Sequence, residues 1–414
     1  MRIAIVSNMF PPEAVGGYEM GCAAVADHLR QRHEVLVWTS VSRHGDHVPA
    51  GGDQVALRRE LALLTLDARG SLRAPICALR GAAVAREIVA WKPDLVYVWN
   101  GARIPHAVLR IIADSGVPLA FRVEEHWFAK IFVGDQFLRE LLPTPRGRAR
   151  AAWAQACRLL NALPALRLDP IAPLRAAISW NSEAIRRMAP APTFVETVYE
   201  RVLHPAPPYG DLYAQVERRP AKEPEIVFVG RITPFKGVAV AIQALALLRS
   251  EHGISATLTL AGPEDDDHAA ELRDMAARAG VADALRWQGP LRPEAIAGLL
   301  ARASAMIVPS TWDEPFPYVT IEGALARVPL VASDVGGIGE GMAHEEHALL
   351  FARGDASGAA AALARILREP QQTAARVERA YEHAQLFRLG PYLDNQERFV
   401  HDAHSALTGV GDCS

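Results

Sequence analysis

The sequence predicts an α/β fold made of two doubly wound parallel-sheet domains in tandem. Three observations carry that prediction. Short apolar runs alternate with helical stretches along almost the whole chain, the pattern left by parallel strands covered on both faces. A Pro-rich polar segment, 203–225, interrupts the alternation once, and the alternation then restarts. The 414 residues also exceed what one ordinary core organises. Domains are therefore expected at 1–203 and 225–389, joined by a linker at 204–224.

Taken in order, 3–6 reads as a buried strand at the very start, where a signal peptide would need a longer apolar stretch. The loop Pro11-Pro12-Glu13-Ala14-Val15-Gly16-Gly17 leads to a helix at 18–31 and a strand at 34–39. After a helix at 84–90, the turn Trp91-Lys92-Pro93-Asp94 precedes the continuously apolar strand Leu95-Val96-Tyr97-Val98-Trp99. A helix at 105–114 and a strand at 119–123 complete another unit, and a strand at 176–180 runs into the helix cap Asn181-Ser182-Glu183. Beyond the linker, strands at 226–229, 257–260, 285–288, 305–308 and 330–332 alternate with helices at 238–249, 268–279, 293–303, 319–326 and 356–368. A last amphipathic helix covers 391–407. Doubly wound sheets hold their ligands beyond the carboxyl ends of the strands, so two such domains facing each other share one central cleft.

Half of the residues are apolar and 22% are charged, a globular composition with no run long enough to span a bilayer. Cys22, Cys77, Cys157 and Cys413 are scattered, which reads as reduced thiols in a cytoplasmic protein without zinc spacing. The net charge of −3 hides an asymmetry: residues 1–200 hold 24 Lys+Arg against 19 Asp+Glu (+5), and the remainder 20 against 28 (−8). The first half is thus expected to meet something anionic. Its basic residues cluster from Arg139 to Arg175, through Arg146, Arg148, Arg150, Arg158 and Arg167, with Trp153, Leu159, Leu160 and Leu163 interleaved. That segment is a candidate for peripheral membrane contact, set against a plain solvated helix face.

The residues that carry chemistry lie mostly in the second half. Glu314 and Glu322 are eight positions apart, the first in the Pro-rich turn after 305–308 and the second inside the helix that follows. Free N–H groups at such a helix start suit an anionic or hydroxyl-rich ligand, and a carboxylate a turn further in can accept from both hydroxyls of a ribose. The plainer alternative has Glu314 as a cap and Glu322 in solvent. Upstream, Gly230-Arg231-Ile232-Thr233-Pro234-Phe235-Lys236-Gly237 follows a strand and opens a helix. It lacks the Walker spacing but sets two cations where a leaving diphosphate gains charge. Gly16-Gly17 and Gly336-Gly337 are weaker signals for close ligand approach at helix starts. A dinucleotide fingerprint after the first strand is absent, as are a Ser-His-Asp arrangement and a Cys nucleophile. Asp265-Asp266-Asp267 reads as helix-start acids rather than a metal site.

These pieces together make the chain resemble a family 4 glycosyltransferase, with the GT-B architecture of two Rossmann-like domains. The resemblance covers nearly the whole length and is strongest over 227–355. It rests on Gly16-Gly17, Arg231 and Lys236 in the Gly-Arg…Lys-Gly segment, Gly262-Pro263, Gly289, the E-x7-E pair Glu314 and Glu322, and Gly336-Gly337. The resemblance implies a retaining, metal-independent transfer of a hexose-type sugar from a UDP- or GDP-linked donor. No cofactor is implied beyond that nucleotide-diphosphate sugar as co-substrate. Arg231 and Lys236 would hold the diphosphate and Glu322 the ribose. Glu314 with the backbone of Phe316, Pro317 and Tyr318 would meet the sugar. The backbone of 288–291, including Gly289, Pro290 and Leu291, would receive the base. The C-terminal helix, 390–414, would pack back on the first domain, which would bind the acceptor: a glycan, a lipid-linked intermediate or a secondary metabolite, and not a nucleic acid.

The sequence departs from the family pattern in three places. No His follows Leu95-Val96-Tyr97-Val98-Trp99-Asn100, and His106 comes later. The next strand ends in Glu124-Glu125-His126-Trp127 where members show His-Asp-aromatic-Trp, so His126 is favoured as the group nearest the anomeric carbon, with Glu124 and Glu125 as alternatives and Asn100 and Trp127 on the acceptor side. Phe316-Pro317-Tyr318 stands where members have Phe-Gly, and the proline stiffens that turn. Two other readings keep the nucleotide site: a sugar-nucleotide epimerase, which needs no acceptor, and a non-catalytic nucleotide-sugar-binding protein.

Overall fold

Each half of the chain closes around one parallel sheet in the computed structural model, which describes residues 1–12, 17–40, 56–61, 63, 70–130, 135, 137, 141, 148–163 and 172–409. Tertiary contacts group Met1–Leu203 with Leu393–Ser414 as one unit and His204–Tyr392 as another.

The first unit contains β1 (Arg2–Ser7), α1 (Gly17–Leu29), β2 (Glu34–Ser40), β3 (Ala56–Leu61), α2 (Gly70–Ala90), β4 (Leu95–Asn100), α3 (His106–Asp114), β5 (Leu119–Val123), α4 (Arg148–Asn161), β6 (Leu174–Trp180), α5 (Glu183–Met188) and β7 (Val195–Val202). The strand order is β3-β2-β1-β4-β5-β6-β7, with every pairing parallel. Ile3 pairs with Val35 on one side and with Leu95 on the other, so the winding reverses between β1 and β4. β4 and β5 are buried along their whole length, which explains their unbroken apolar sequence. The edge strand β3 alternates exposed and half-buried residues before Leu61.

The second unit contains α6 (Gly210–Tyr213), β8 (Glu225–Val229), α7 (Val238–Ser250), β9 (Thr257–Ala261), α8 (Asp266–Arg278), β10 (Leu285–Gly289), α9 (Pro293–Arg302), β11 (Ala305–Val308), α10 (Tyr318–Leu325), β12 (Leu330–Ser333), α11 (Ile338–Gly341), β13 (Leu349–Phe351), α12 (Ala356–Arg368) and α13 (Pro370–Ala384). Its order, β10-β9-β8-β11-β12-β13, repeats the plan and reverses between β8 and β11. The final helix, α14 (Leu389–Thr408), contributes its residues from Leu393 onward to the first unit. There Phe399 is fully buried and stacks on Tyr199, and Tyr97 Oη donates to Gln396 Oε1 at 2.8 Å.

Residues 204–224 are not the free linker that their prolines suggested. They fold with the second unit. Tyr213 is buried in the same cluster as Ile321 and Leu325, and Arg219 and Ala221 donate their N–H groups to Ala301 and Arg302 at the end of α9. The apolar residues Leu212, Tyr213 and Val216 have a core to join, and α9 supplies carbonyls that lack helical partners. Of the basic segment, Arg139, Arg146 and Arg167 lie outside the described residues. In α4, Trp153 and Leu160 pack against the cluster that holds Cys157 and Phe137, leaving Leu159 exposed on the helix and Leu163 exposed just beyond its end. No helix among the described residues is long and apolar enough to cross a membrane.

Candidate functional site

The carboxyl edge of the second sheet gathers the residues singled out above. The β8–α7 and β11–α10 loops leave adjacent strands at the reversal of winding, where doubly wound sheets bind ligands. Lys236 Nζ lies 2.6 Å from Glu314 Oε1, although 78 residues separate them in sequence. Ser310 Oγ donates to the same oxygen at 2.5 Å. Glu314 is buried, at 4% exposure, so this carboxylate is fixed by a cation and a hydroxyl. Asp313 beside it is ion-paired with Arg353.

Backbone contacts hold the two loops in this register. Thr311 N–H donates to Phe235 O at 2.9 Å. Gly237 sits at φ 72°, and a Cβ there would stand 1.8 Å from Pro309 O, so only glycine lets the loops meet. Gly336-Gly337 has a similar task. Gly336, at φ 55°, would press a Cβ to 2.1 Å from Glu314 O, and Gly337 N–H donates to that oxygen at 2.7 Å. The pair, read from sequence as a ligand-approach signal, is a brace under the Glu314 backbone.

Glu322 is half-buried on α10. Desolvation pushes its carboxyl pKa up to about 7. Its carboxylate has no hydrogen-bond or ion-pair partner among the described residues. Burial, and after it the Glu322 charge, also raise the Tyr213 phenol. Arg231 is exposed, and its guanidinium likewise has no ion-pair or hydrogen-bond partner among the described residues. Pro317 is the N-cap of α10 and offers no capping side chain, leaving the first N–H groups of that helix to other acceptors. Phe316 is buried, and Tyr318 is half-buried. Gly289 ends β10 at φ 64° and accepts from Gly262 N–H at 2.8 Å. Pro290 beyond it is exposed, and Leu291 is half-buried. Asp265 caps α8 by accepting from His268 N–H at 3.1 Å, the helix-start role expected for the Asp triplet.

The first unit arranges its residues around a buried charge pair. Arg122 is fully buried; its Nε donates to Glu124 Oε1 at 2.7 Å and its Nη1 to Ser179 Oγ and Leu203 O, both at 2.9 Å. Glu124, 4% exposed, is thereby immobilised, while Glu125 is exposed and His126 half-buried. The Trp127 ring covers Gly101, where a Cβ would come within 2.6 Å of it. Asn100 Oδ1 accepts from Ala102 N–H at 3.0 Å. Gly17 opens α1, whose Tyr18 hydroxyl bonds Trp99 O; Gly16 lies outside the described residues.

Sequence reasoning missed Ser310, Arg122 and Trp312. Ser310 carried a legible signal, a polar residue directly after a buried strand. Arg122 did not, because an arginine inside an apolar strand shows its worth only once Glu124, Ser179 and Leu203 surround it. Trp312 packs edge-on to Phe235 at 5.5 Å, with Lys236 Nζ 5.7 Å from its ring centre, a contact between separate loops.

Comparison with known proteins bears on the fold and on the second half of the chain. Residues 211–383 match the family model for glycosyl transferases group 1. A glycogen synthase of Mycobacterium tuberculosis is 40% identical over 154 residues, 37% of this chain and 36% of that protein. A D-inositol 3-phosphate glycosyltransferase of Acidothermus cellulolyticus is 34% identical over 168 residues, 39% of this chain and 37% of that protein. The matched stretch thus spans little more than a third of the length of these curated relatives. Among solved structures, Anabaena HepE in complex with UDP superposes with a TM-score of 0.67 at 20% identity, covering 97% of this chain and 100% of that one. Sucrose-phosphate synthase from Thermosynechococcus elongatus gives 0.68 at 18% identity, over 98% and 99%. At such identities the likeness is one of fold, and by that likeness the chain has the GT-B fold, two Rossmann-like parallel-sheet domains in one polypeptide.

Proposed function

We propose that this protein is a retaining glycosyltransferase that moves a hexose-type sugar from a nucleotide-diphosphate donor to an acceptor held by the first unit. The carrying observation is Glu322: a desolvated carboxylate with no hydrogen-bond or ion-pair partner among the described residues, on the helix that follows the fixed Lys236–Glu314 pair. A ribose supplies two hydroxyl donors for such a carboxylate. Arg231 and Lys236 balance the diphosphate as it leaves, so the transfer needs no metal ion. The Phe316 to Tyr318 backbone, with Glu314, meets the sugar. A uridine donor is favoured because HepE has been solved with UDP and with UDP-glucose. Glycan, lipid-linked and small-metabolite acceptors remain alike in this reading, with 139–175 as the surface for an anionic or membrane-borne one.

The deciding experiment is thermal unfolding against a panel of nucleotides and nucleotide sugars, with Glu322→Ala in parallel. A ligand at a hundred times its Kd adds about 2.7 kcal/mol, which raises Tm by roughly 5 °C or more. The expected result is such a rise with uridine nucleotides, lost in Glu322→Ala. No rise with any nucleotide overturns the reading.

His126 is the proposed group at the anomeric carbon, since Glu124 is occupied by Arg122. His126→Ala is expected to lower turnover by about 100-fold with donor affinity unchanged. Unchanged turnover, together with a large loss in Glu124→Gln, would transfer the role to Glu124.

A further inference from the structure

We infer that the first unit carries a divalent-metal site formed by His33, Glu397 and His401, separate from the donor-site residues of the second unit. Glu397 and His401 are one helical turn apart on α14, on one face. His33 comes from the turn between α1 and β2. One ligand atom from each of the three lies within 4.8 Å of the other two. His33 Nε2 is 3.2 Å from Glu397 Oε1, and the His33 and His401 rings are 5.2 Å apart. Metal–ligand bonds of about 2.0–2.2 Å set neighbouring ligand atoms roughly 3.0–3.5 Å apart, so the His33–Glu397 edge already fits and rotation of the His401 ring closes the rest.

The surroundings of Glu397 separate its two oxygens by task. Oε2 accepts from Arg32 Nη1 at 2.7 Å and lies 3.0 Å from His28 Nε2. Oε1 is the oxygen on the His33 side. Burial opposes the Glu397 charge, while His28, Arg32 and His33 hold its carboxyl below the usual carboxylate range. The side chains of His33 and Glu397 are only 7% and 10% exposed. The His401 ring has no hydrogen-bond partner among the described residues.

Two imidazoles and one carboxylate select a borderline ion of the zinc, cobalt and nickel class over magnesium or calcium. Water completes the coordination, as three protein ligands leave an open position. Coordination by the neutral His33 ring through Nε2 places its single ring proton on Nδ1, so the ring changes tautomer and releases no proton. The bound ion links the α1–β2 turn to α14 within the first unit.

The test uses the full tag-free chain, stripped with a chelator and titrated with Co2+. One equivalent is expected to produce a visible d–d absorption band that Zn2+ displaces, and Zn2+ is expected to raise Tm by several degrees. His401→Ala leaves the hydrogen bonds of Glu397 intact and should weaken Co2+ binding more than about 100-fold. No band in the native chain, or an equal band in His401→Ala, overturns the site and leaves these residues as an ion-pair knot holding α14.

Discussion

Lys236→Ala is expected to lower glycosyl transfer by about 100- to 1000-fold, the scale of losing one group that stabilises developing negative charge. Two effects combine in it. The diphosphate loses a cation that is already fixed, and Glu314 loses its ion-pair partner. Removing one member of a buried pair costs about 3–5 kcal/mol, and the lower end applies because the Lys236 side chain is 22% exposed. Ser310 alone then faces a buried, uncompensated carboxylate. The double variant Lys236→Ala/Glu314→Gln removes the uncompensated charge. It should recover Tm toward the native value while transfer stays low. Melting curves and kcat/KM, measured with the nucleotide sugar that stabilises the native protein, separate the two effects. Transfer that returns together with stability would make Lys236 a structural residue and remove it from the chemistry.

Glu322→Gln is expected to change the pH dependence of both stability and donor binding. The carboxyl pKa stands near 7 in the fold against 4.5 in an unfolded chain. Between those values the folded state keeps a proton that the unfolded state has released, so stability falls as pH rises from about 4.5 to about 7 and then levels. Glutamine cannot ionise. The variant should match the native protein near pH 4 and melt above it at pH 8. Binding runs in the opposite direction. Ribose hydroxyls donate to the ionised carboxylate, so donor affinity should rise through pH 7, by about tenfold per unit below it. Loss of the charge-assisted bonds, about 1.5–3 kcal/mol, should weaken the donor roughly 10- to 150-fold in Glu322→Gln at pH 8. Calorimetric titrations at pH 6 and pH 8 measure this. A flat profile in the native protein would remove Glu322 from the ribose.

Much of the fold was legible because strand and helix signals are local. The apolar runs at 95–99, 119–123 and 305–308 fall in β4, β5 and β11, and helices 238–249 and 356–368 match α7 and α12 to within a residue. The misses have physical causes. β3 and β7 are edge strands, and an edge strand with one wet side carries polar residues such as Arg58, Arg59, Glu196 and Glu200. α2 begins at Gly70, well before the predicted 84, and holds Pro75, which broke its pattern. α13 begins at Pro370, a helix-start signal passed over after the preceding helix. Residues 204–224 were misjudged because proline content reports backbone stiffness, whereas membership of a core depends on where Tyr213 finds neighbours.

By itself the sequence determined two alternating α/β units, the strand–loop–helix places of Arg231, Lys236, Glu314 and Glu322, and the helix-start acids at 265–267. Each of these follows from side-chain periodicity or turn chemistry over a few residues. Only the tertiary structure decided that Lys236 and Glu314 pair across 78 positions, that Gly336-Gly337 braces the Glu314 backbone, that Glu322 is desolvated, and that His33 meets Glu397 across 364 positions. Those outcomes depend on strand order and on which chain segments exclude water from one another, and neither is written in any local stretch of residues.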